Sequence, residues 1–91
     1  MSRTHYRNPK ILALAKGQDC QHCGINDDTI VAAHSNKIVH GKGVGIKADD
    51  FCIAYLCYKC HTNYDTGKMN QGEFNSAIIR TMKIWVPEIT N

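Results

Sequence analysis

The sequence predicts a small α+β domain in which two short strands and a helix are held together by a four-cysteine metal site. Two CxxC turns, 34 residues apart, lie on either side of two strand-like runs, and apolar residues at helical spacing follow the second turn. A separation of two residues lets both thiolates of a tight turn reach one ion, and two such turns supply the sulfurs of a tetrahedral zinc site. We therefore expect a structural zinc ion bound by Cys20, Cys23, Cys57 and Cys60.

The size of the chain makes a structural metal useful. Its 91 residues are enough for a single domain over residues 1–91, with a core that is marginal by itself. A closed zinc site adds on the order of 10–16 kcal/mol of apparent binding free energy to folding. The polar, basic N-terminus has no apolar signal region, and no apolar run approaches the roughly 18 residues that cross a bilayer. We expect no membrane association and a reducing bacterial cytoplasm, where CxxC turns bind metal rather than form disulfides.

The first half of the chain predicts one short helix and two strands. Asn8 and Pro9 are typical of an N-cap and a first helical residue, so a helix is expected over residues 10–16, with Gly17 ending it. Two runs of β-branched and apolar residues predict strands over residues 29–33 and 51–56.

The second half predicts two helices. The second CxxC turn opens a short helix over residues 60–65. Asn70 and Glu73 then form a capping-box pattern for an amphipathic helix of about twelve residues, within about 71–85, which Pro87 is expected to end. The apolar stripe of this helix, expected to pack on the core, consists of Phe74, Ile78, Met82 and Trp85.

Three residues outside the cysteine turns suggest chemistry. His34 ends the first predicted strand, between the two turns. His61 and Asp65 lie four positions apart in the short helix, on one face, where they could share a second metal ion. A histidine at a strand end is more often structural, and Asp65 could instead cap its helix.

The basic residues are unevenly distributed. The net charge of +3 is modest, but residues 29–48 contain no acidic side chain. Such a segment suits a phosphate backbone, although a solvated loop explains the charge equally well. The nucleic-acid-binding candidates in this segment are Lys37, His40, Lys42 and Lys47.

The motif set over residues 17–67 resembles the zinc-knuckle branch of the HNH, or ββα-metal, nucleases. Its pattern is a CxxC turn, a histidine ending the first strand, a glycine-rich loop and LCxxCH. It is more closely similar to a group of small nuclease-like proteins from recombination regions of lambdoid phages and prophages. The matching segments are Ala33-His34, Gly43-Val-Gly-Ile-Lys47, Asp50 and Cys60-His61-Thr-Asn-Tyr-Asp65.

This resemblance implies a metal-dependent DNA endonuclease acting in phage recombination or DNA processing. It assigns His34 as general base and gives His61 and Asp65 one divalent ion, Mg²⁺ or Mn²⁺, with Ni²⁺ or Zn²⁺ also compatible with an imidazole ligand. The implied partners are DNA and recombination proteins, and the implied state is a monomer or homodimer. The chain departs from the HNH pattern at Ala33 and Cys52, and Asp50 or Asp49 is the alternative residue for fixing the loop.

Two other functions use the same cysteines. A non-catalytic zinc module that binds nucleic acid or a recombination partner needs the sulfurs and basic loop but neither His34 nor Asp65. A rubredoxin-like iron carrier also uses four thiolates, but it leaves both histidines without a role.

Overall fold

The computed structural model describes residues 7–36 and 49–90 as three helices and one two-stranded sheet. In chain order, the elements are α1 (Pro9–Ala13), β1 (Val31–His34), β2 (Ile53–Leu56), α2 (Tyr58–Asp65) and α3 (Gln71–Thr90). The two strands are antiparallel, with Val31 opposite Leu56 and His34 opposite Ile53. The prediction of a small α+β domain is confirmed. None of the helices within the described ranges is long and apolar enough to cross a membrane.

α1 begins where the sequence predicts, but it is shorter. The Asn8 side chain accepts a hydrogen bond from the Lys10 backbone N–H at 3.1 Å, and Pro9 occupies the first turn. After Ala13 the chain tightens into turns, because the N–H groups of Ala15 and Lys16 donate to carbonyls only three residues earlier. The predicted helix over residues 10–16 is therefore helical only to Ala13.

Both strands are shorter at their N-terminal ends than predicted. Thr29 is not in β1, because Asp27 accepts hydrogen bonds from both its backbone N–H and its hydroxyl, which forms a local turn. Cys52 is not in β2, because its N–H donates to the Asp49 carbonyl in a turn at 2.9 Å. β1 ends at His34, the residue predicted to end the strand, and all four residues of β2 are buried.

The outer edge of β2 is covered at Tyr55. Its N–H donates to the Thr81 hydroxyl of α3 at 3.0 Å, and its carbonyl accepts from the Gln21 N–H at 2.8 Å. Its own hydroxyl donates to the Ile11 carbonyl of α1 at 2.6 Å, and burial raises the pKa of Tyr55 to about 12. One residue thus joins the sheet to α1, to α3 and to the first CxxC turn.

α3 follows its predicted start but not its predicted end. Asn70 and Glu73 make both bonds of a capping box, at 2.8 and 3.2 Å. The prediction that Pro87 ends the helix is wrong, since α3 continues to Thr90. Proline removes one N–H donor, and the last turn is held by the Lys10 ammonium on the Glu88 carbonyl and by the Thr90 hydroxyl on the Val86 carbonyl. The core face of α3 consists of Phe74, Ala77, Ile78, Thr81 and Trp85.

We expect Thr81→Val to lower the free energy of unfolding by about 1–3 kcal/mol. Valine has a similar shape but leaves the Tyr55 N–H buried without its acceptor. Chemical denaturation of the zinc-loaded protein measures the loss. The same replacement at the exposed Thr62 is the control and should cost less than about 0.5 kcal/mol. Equal effects of the two variants would contradict the importance of this bond.

Candidate metal centre

The four cysteines of the two CxxC turns meet in one cluster. Every pair of their Sγ atoms lies within 4.8 Å, and those of Cys23 and Cys57 are 3.7 Å apart. Zinc–sulfur bonds of about 2.3 Å give a tetrahedron with edges of about 3.8 Å, so this separation suits a common ion. A four-cysteine cluster that can hold a metal such as zinc is therefore present, as the sequence predicts.

Local hydrogen bonds shape the first CxxC turn. The Cys20 N–H donates to the Ile25 carbonyl at 2.7 Å, and the Gly24 N–H donates to the Cys20 carbonyl at 2.9 Å. Gly24 has a φ of +84°, which a residue with a Cβ rarely adopts. The adjoining bond from Gln21 to Tyr55 fixes the turn against β2. The first pair of sulfurs is thus placed by the turn and by the sheet edge.

The second CxxC turn is the start of α2. Cys57 is the N-cap residue, but its side chain makes no capping bond, because its sulfur faces the other three. The Thr29 hydroxyl, from the segment before β1, caps the helix instead by accepting a hydrogen bond from the Tyr58 N–H at 2.9 Å. Since Thr29 is itself held by Asp27, the cap is rigid.

Electrostatics in the cluster favour a cation. Burial opposes ionisation of Cys20, but backbone hydrogen bonds from Cys23, Cys57 and His22 outweigh it and lower its pKa to about 7. Burial raises the pKa of Cys60, and the neighbouring thiols raise it further. Four thiolates therefore repel one another unless a divalent ion compensates their charge, and zinc prefers this donor set.

His34 forms a pair with a buried carboxylate. Its Nε2 lies 2.9 Å from Oδ1 of Asp50, which is 2% exposed. Asp50 also accepts from the Asn8 N–H at 2.6 Å and lies 3.6 Å from the Arg7 guanidinium. An imidazole that donates from Nε2 keeps its lone pair on Nδ1, so the pair orients His34 and leaves one ring nitrogen able to accept a proton.

His61 and Asp65 form a second pair, on α2. Nε2 of His61 and Oδ2 of Asp65 are 3.4 Å apart, one helical turn from each other, and both side chains are partly exposed. Two ligands of one octahedral ion, each about 2.1 Å from it, lie about 3 Å apart. The pair can therefore contribute two ligands to an ion, with other positions left for water or a substrate oxygen.

The two pairs are separate, but they lie on adjoining elements. Within residues 7–36 and 49–90 the cysteine cluster is the one group of three or more metal-ligating side chains, so His34, His61 and Asp65 do not form another. His61 borders Val31, which strand alternation places on the opposite face of β1 from His34. The segment that follows β1 contacts the C-terminal part of α2, where the Tyr64 hydroxyl accepts a hydrogen bond from the Asn36 N–H at 2.8 Å.

Sequence reasoning did not foresee the partners that hold these side chains. The sequence offers Asp50 as a residue that fixes the loop, but it does not predict the pairing of Asp50 with His34 and with the start of α1. Thr29 and Tyr64 were also missed as the residues that connect α2 to the two ends of β1. The bonds of Thr29 and Tyr64 join residues 29 and 28 positions apart, a distance at which no local pattern predicts a contact. Of the three residues, Asp50 alone is part of a sequence motif.

The remaining site candidates fall outside these clusters. Cys52, the fifth cysteine, is not part of the four-sulfur group. The nucleic-acid-binding candidates lie outside the described residues: Lys37, His40, Lys42 and Lys47.

Comparison with protein-family models, with curated proteins and with solved structures finds no match to this chain.

We expect the purified protein to contain one zinc ion per chain and to lose its fold when a strong chelator removes it. Cys57→Ser should lower both zinc content and melting temperature, because one of four ligands is lost. Elemental analysis and thermal unfolding test this. Cys52→Ser is the matched control and should keep the zinc. A chelated protein that melts like the zinc-loaded one would contradict a structural role for the ion.

Proposed function

We propose that this chain is a metal-dependent DNA endonuclease of the HNH, or ββα-metal, kind. The observation that supports this most is the His34–Asp50 pair, an imidazole held by a buried carboxylate at the end of β1. It lies in a hairpin-and-helix unit fastened by a four-cysteine cluster and carrying a second histidine–carboxylate pair. This combination suits hydrolysis of a phosphodiester bond better than a purely structural knuckle, which needs neither pair.

His34 would act as the general base. Asp50 would accept a hydrogen bond from the Nε2–H of His34, so Nδ1 could take a proton from a water molecule that attacks the phosphorus. The carboxylate then stabilises the imidazolium that forms, and its own position is fixed by Asn8 and Arg7. Asp50 would therefore contribute by orienting the His34 ring and not by contacting the substrate, because its carboxylate is buried.

His61 and Asp65 would hold one divalent ion, Mg²⁺ or Mn²⁺, or another ion that accepts an imidazole. Such an ion supplies charge stabilisation for a phosphate and its leaving oxygen. The Tyr64 hydroxyl holds the C-terminal part of α2 to the backbone of Asn36, two residues after His34, which brings the Asp65 end of the helix towards the end of β1 that carries His34. The Tyr64 ring is stacked on Phe74 of α3, with centroids 3.7 Å apart, which limits the movement of α2.

Zinc in the cysteine cluster would be structural. Four protein thiolates fill a tetrahedral site and leave no position for water, which a catalytic zinc requires. The substrate and setting are proposed from the sequence resemblance: DNA, phage recombination or DNA processing, and the cytoplasm of a bacterial host. The proposed contacts to the phosphates of the DNA are Lys37, His40, Lys42 and Lys47.

A second candidate is a non-catalytic zinc module that binds nucleic acid or a recombination protein. It is favoured by one observation, namely that the described residues bring only the four cysteines, and not His34 with His61 and Asp65, into a single metal-ligating group. It differs from the endonuclease in that DNA binding would persist without any cleavage.

We expect the protein to nick supercoiled plasmid with Mg²⁺ or Mn²⁺, and His34→Ala to reduce the rate by about a hundredfold or more. Loss of a general base has an effect of this size. His22→Ala is the matched control, since the carboxylate that His22 pairs with is Glu73, at 3.7 Å, and its loss should leave nicking intact. Unchanged nicking by a zinc-loaded His34→Ala protein would reject His34 as the base.

We expect His61→Ala to raise the concentration of divalent ion needed for half-maximal nicking by about tenfold or more, and Asp65→Asn to do so less strongly. Each variant removes one ligand charge or lone pair while leaving the zinc cluster intact. Titration of Mn²⁺ against the nicking rate measures the change. Asp28→Asn, an exposed carboxylate elsewhere, is the control. An unaltered ion requirement would show that this pair is not the ion site.

A further inference from the structure

Exposed apolar side chains surround the start of α2. Tyr58 is 60% exposed, Ile25 is 48% exposed and Val31 is 44% exposed. We call these three residues the Tyr58 ridge, because an open groove lies on either side of the tyrosine. One groove, of about 740 Å³, is lined by Ile25, Thr29, Tyr58 and Lys59 among others. The other, of about 410 Å³, is lined by Thr29, Val31, Tyr58, His61 and Thr62.

The backbone of Tyr58 is held firmly beneath its exposed ring. Its N–H donates to the Thr29 hydroxyl at 2.9 Å, and it directly follows Cys57 of the metal cluster. Cys60, two residues later, is a further member of that cluster. A flat aromatic group is thus presented to solvent from one of the most constrained points of the fold.

The ring lies close to the candidate ion site. Tyr58, His61 and Asp65 occur at helical spacings of three and four, so they share one face of α2. Tyr58 and His61 also line the same groove of about 410 Å³. Lys59 next to the ring adds a positive charge that suits a phosphate. A nucleotide adjoining the cleaved phosphate can therefore reach the ring.

We propose that Tyr58 stacks on an unpaired base next to the scissile phosphate, so that the protein prefers single-stranded or flapped DNA to continuous duplex. This inference rests on the proposed nuclease function and specifies its substrate. Bases in a duplex have their faces covered by neighbours, whereas an unpaired base offers a free face to an aromatic side chain.

The size of the ridge favours a base over a protein partner. A stable protein interface needs about 800 Å² on each side, whereas the ridge consists of three partly exposed side chains. One base needs only one ring and a groove on each side of it. The grooves and the neighbouring lysine fit a nucleotide, which is apolar on its face and anionic at its phosphate.

Binding of three labelled oligonucleotides tests this inference separately from cleavage. A single strand, a duplex with a two-nucleotide flap and a perfect duplex are titrated with zinc-loaded protein, without added Mg²⁺ or Mn²⁺, and followed by fluorescence anisotropy. We expect Tyr58→Ala to weaken binding of the first two by about tenfold or more and to change the perfect duplex by less than about twofold. Tyr58→Phe keeps the ring and should bind like the wild type. Ile79→Ala, which truncates a side chain 58% exposed on α3, is the control.

The outcomes separate this inference from the nuclease proposal. Equal loss on all three DNAs, no loss on any, absence of DNA binding by the wild type, or the same effect from Ile79→Ala would overturn the stacking role. If Tyr58-dependent binding of unpaired DNA is found but no ion supports cleavage, the stacking role stands and the nuclease proposal fails. If cleavage occurs and binding does not depend on Tyr58, only the stacking role fails.

Discussion

Four cysteine sulfurs from two turns 34 residues apart must occupy one small volume, and most of the fold is arranged around that requirement. Four thiolates this close repel one another, and an ion such as zinc bound among them would supply the attraction. A 91-residue chain has a small core, and the binding free energy of a structural zinc ion, on the order of 10–16 kcal/mol, is as large as a typical net folding stability. The cluster joins the segment after α1 to the start of α2, and Tyr55 extends that junction to α1 and α3 through its backbone and its hydroxyl.

Because Cys57 and Cys60 belong to the cysteine cluster, the cluster holds the start of α2, and this helps to determine where the rest of that helix lies. Thr29 caps its first turn beside one end of β1, and Tyr64 contacts Asn36 beyond the other end. Both ends of α2 are therefore held to the segments that precede and follow β1. The cysteine cluster fixes the beginning of the helix and the stack of Tyr64 on Phe74 fixes its end. Groups on α2 and at the end of β1 thus have defined positions without a large core beneath them.

Patterns that are local in sequence were the ones that sequence reasoning predicted well. The CxxC spacing, the Asn8 cap and the capping box at Asn70 depend on residues two or three positions apart, and the structure contains all of them. The predicted end of α3 was wrong, since Pro87 removes only one N–H donor and the last turn has other bonds, from Thr90 and from Lys10, 78 residues away. The contact between Asp50 and Asn8 spans 42 residues and that between Asp50 and His34 spans 16, so no local pattern specifies them. The pair of His61 and Asp65 could be predicted from its spacing of four residues, whereas the pairing of His34 with Asp50 could not.

The burial of Asp50 is a reason to base the functional proposal on its pair with His34 rather than on the pair formed by His61 and Asp65. A carboxylate that is 2% exposed costs free energy to desolvate, and an apolar pair of similar volume often stabilises a fold as well or better. Stability alone therefore gives little reason to place a histidine and an aspartate there, whereas orientation of a proton-accepting imidazole does. The pair on α2 is partly exposed, costs little, and would be unremarkable as a surface ion pair. Its significance depends on His34, because an ion at His61 and Asp65 has a catalytic use only if a base acts on the same phosphate.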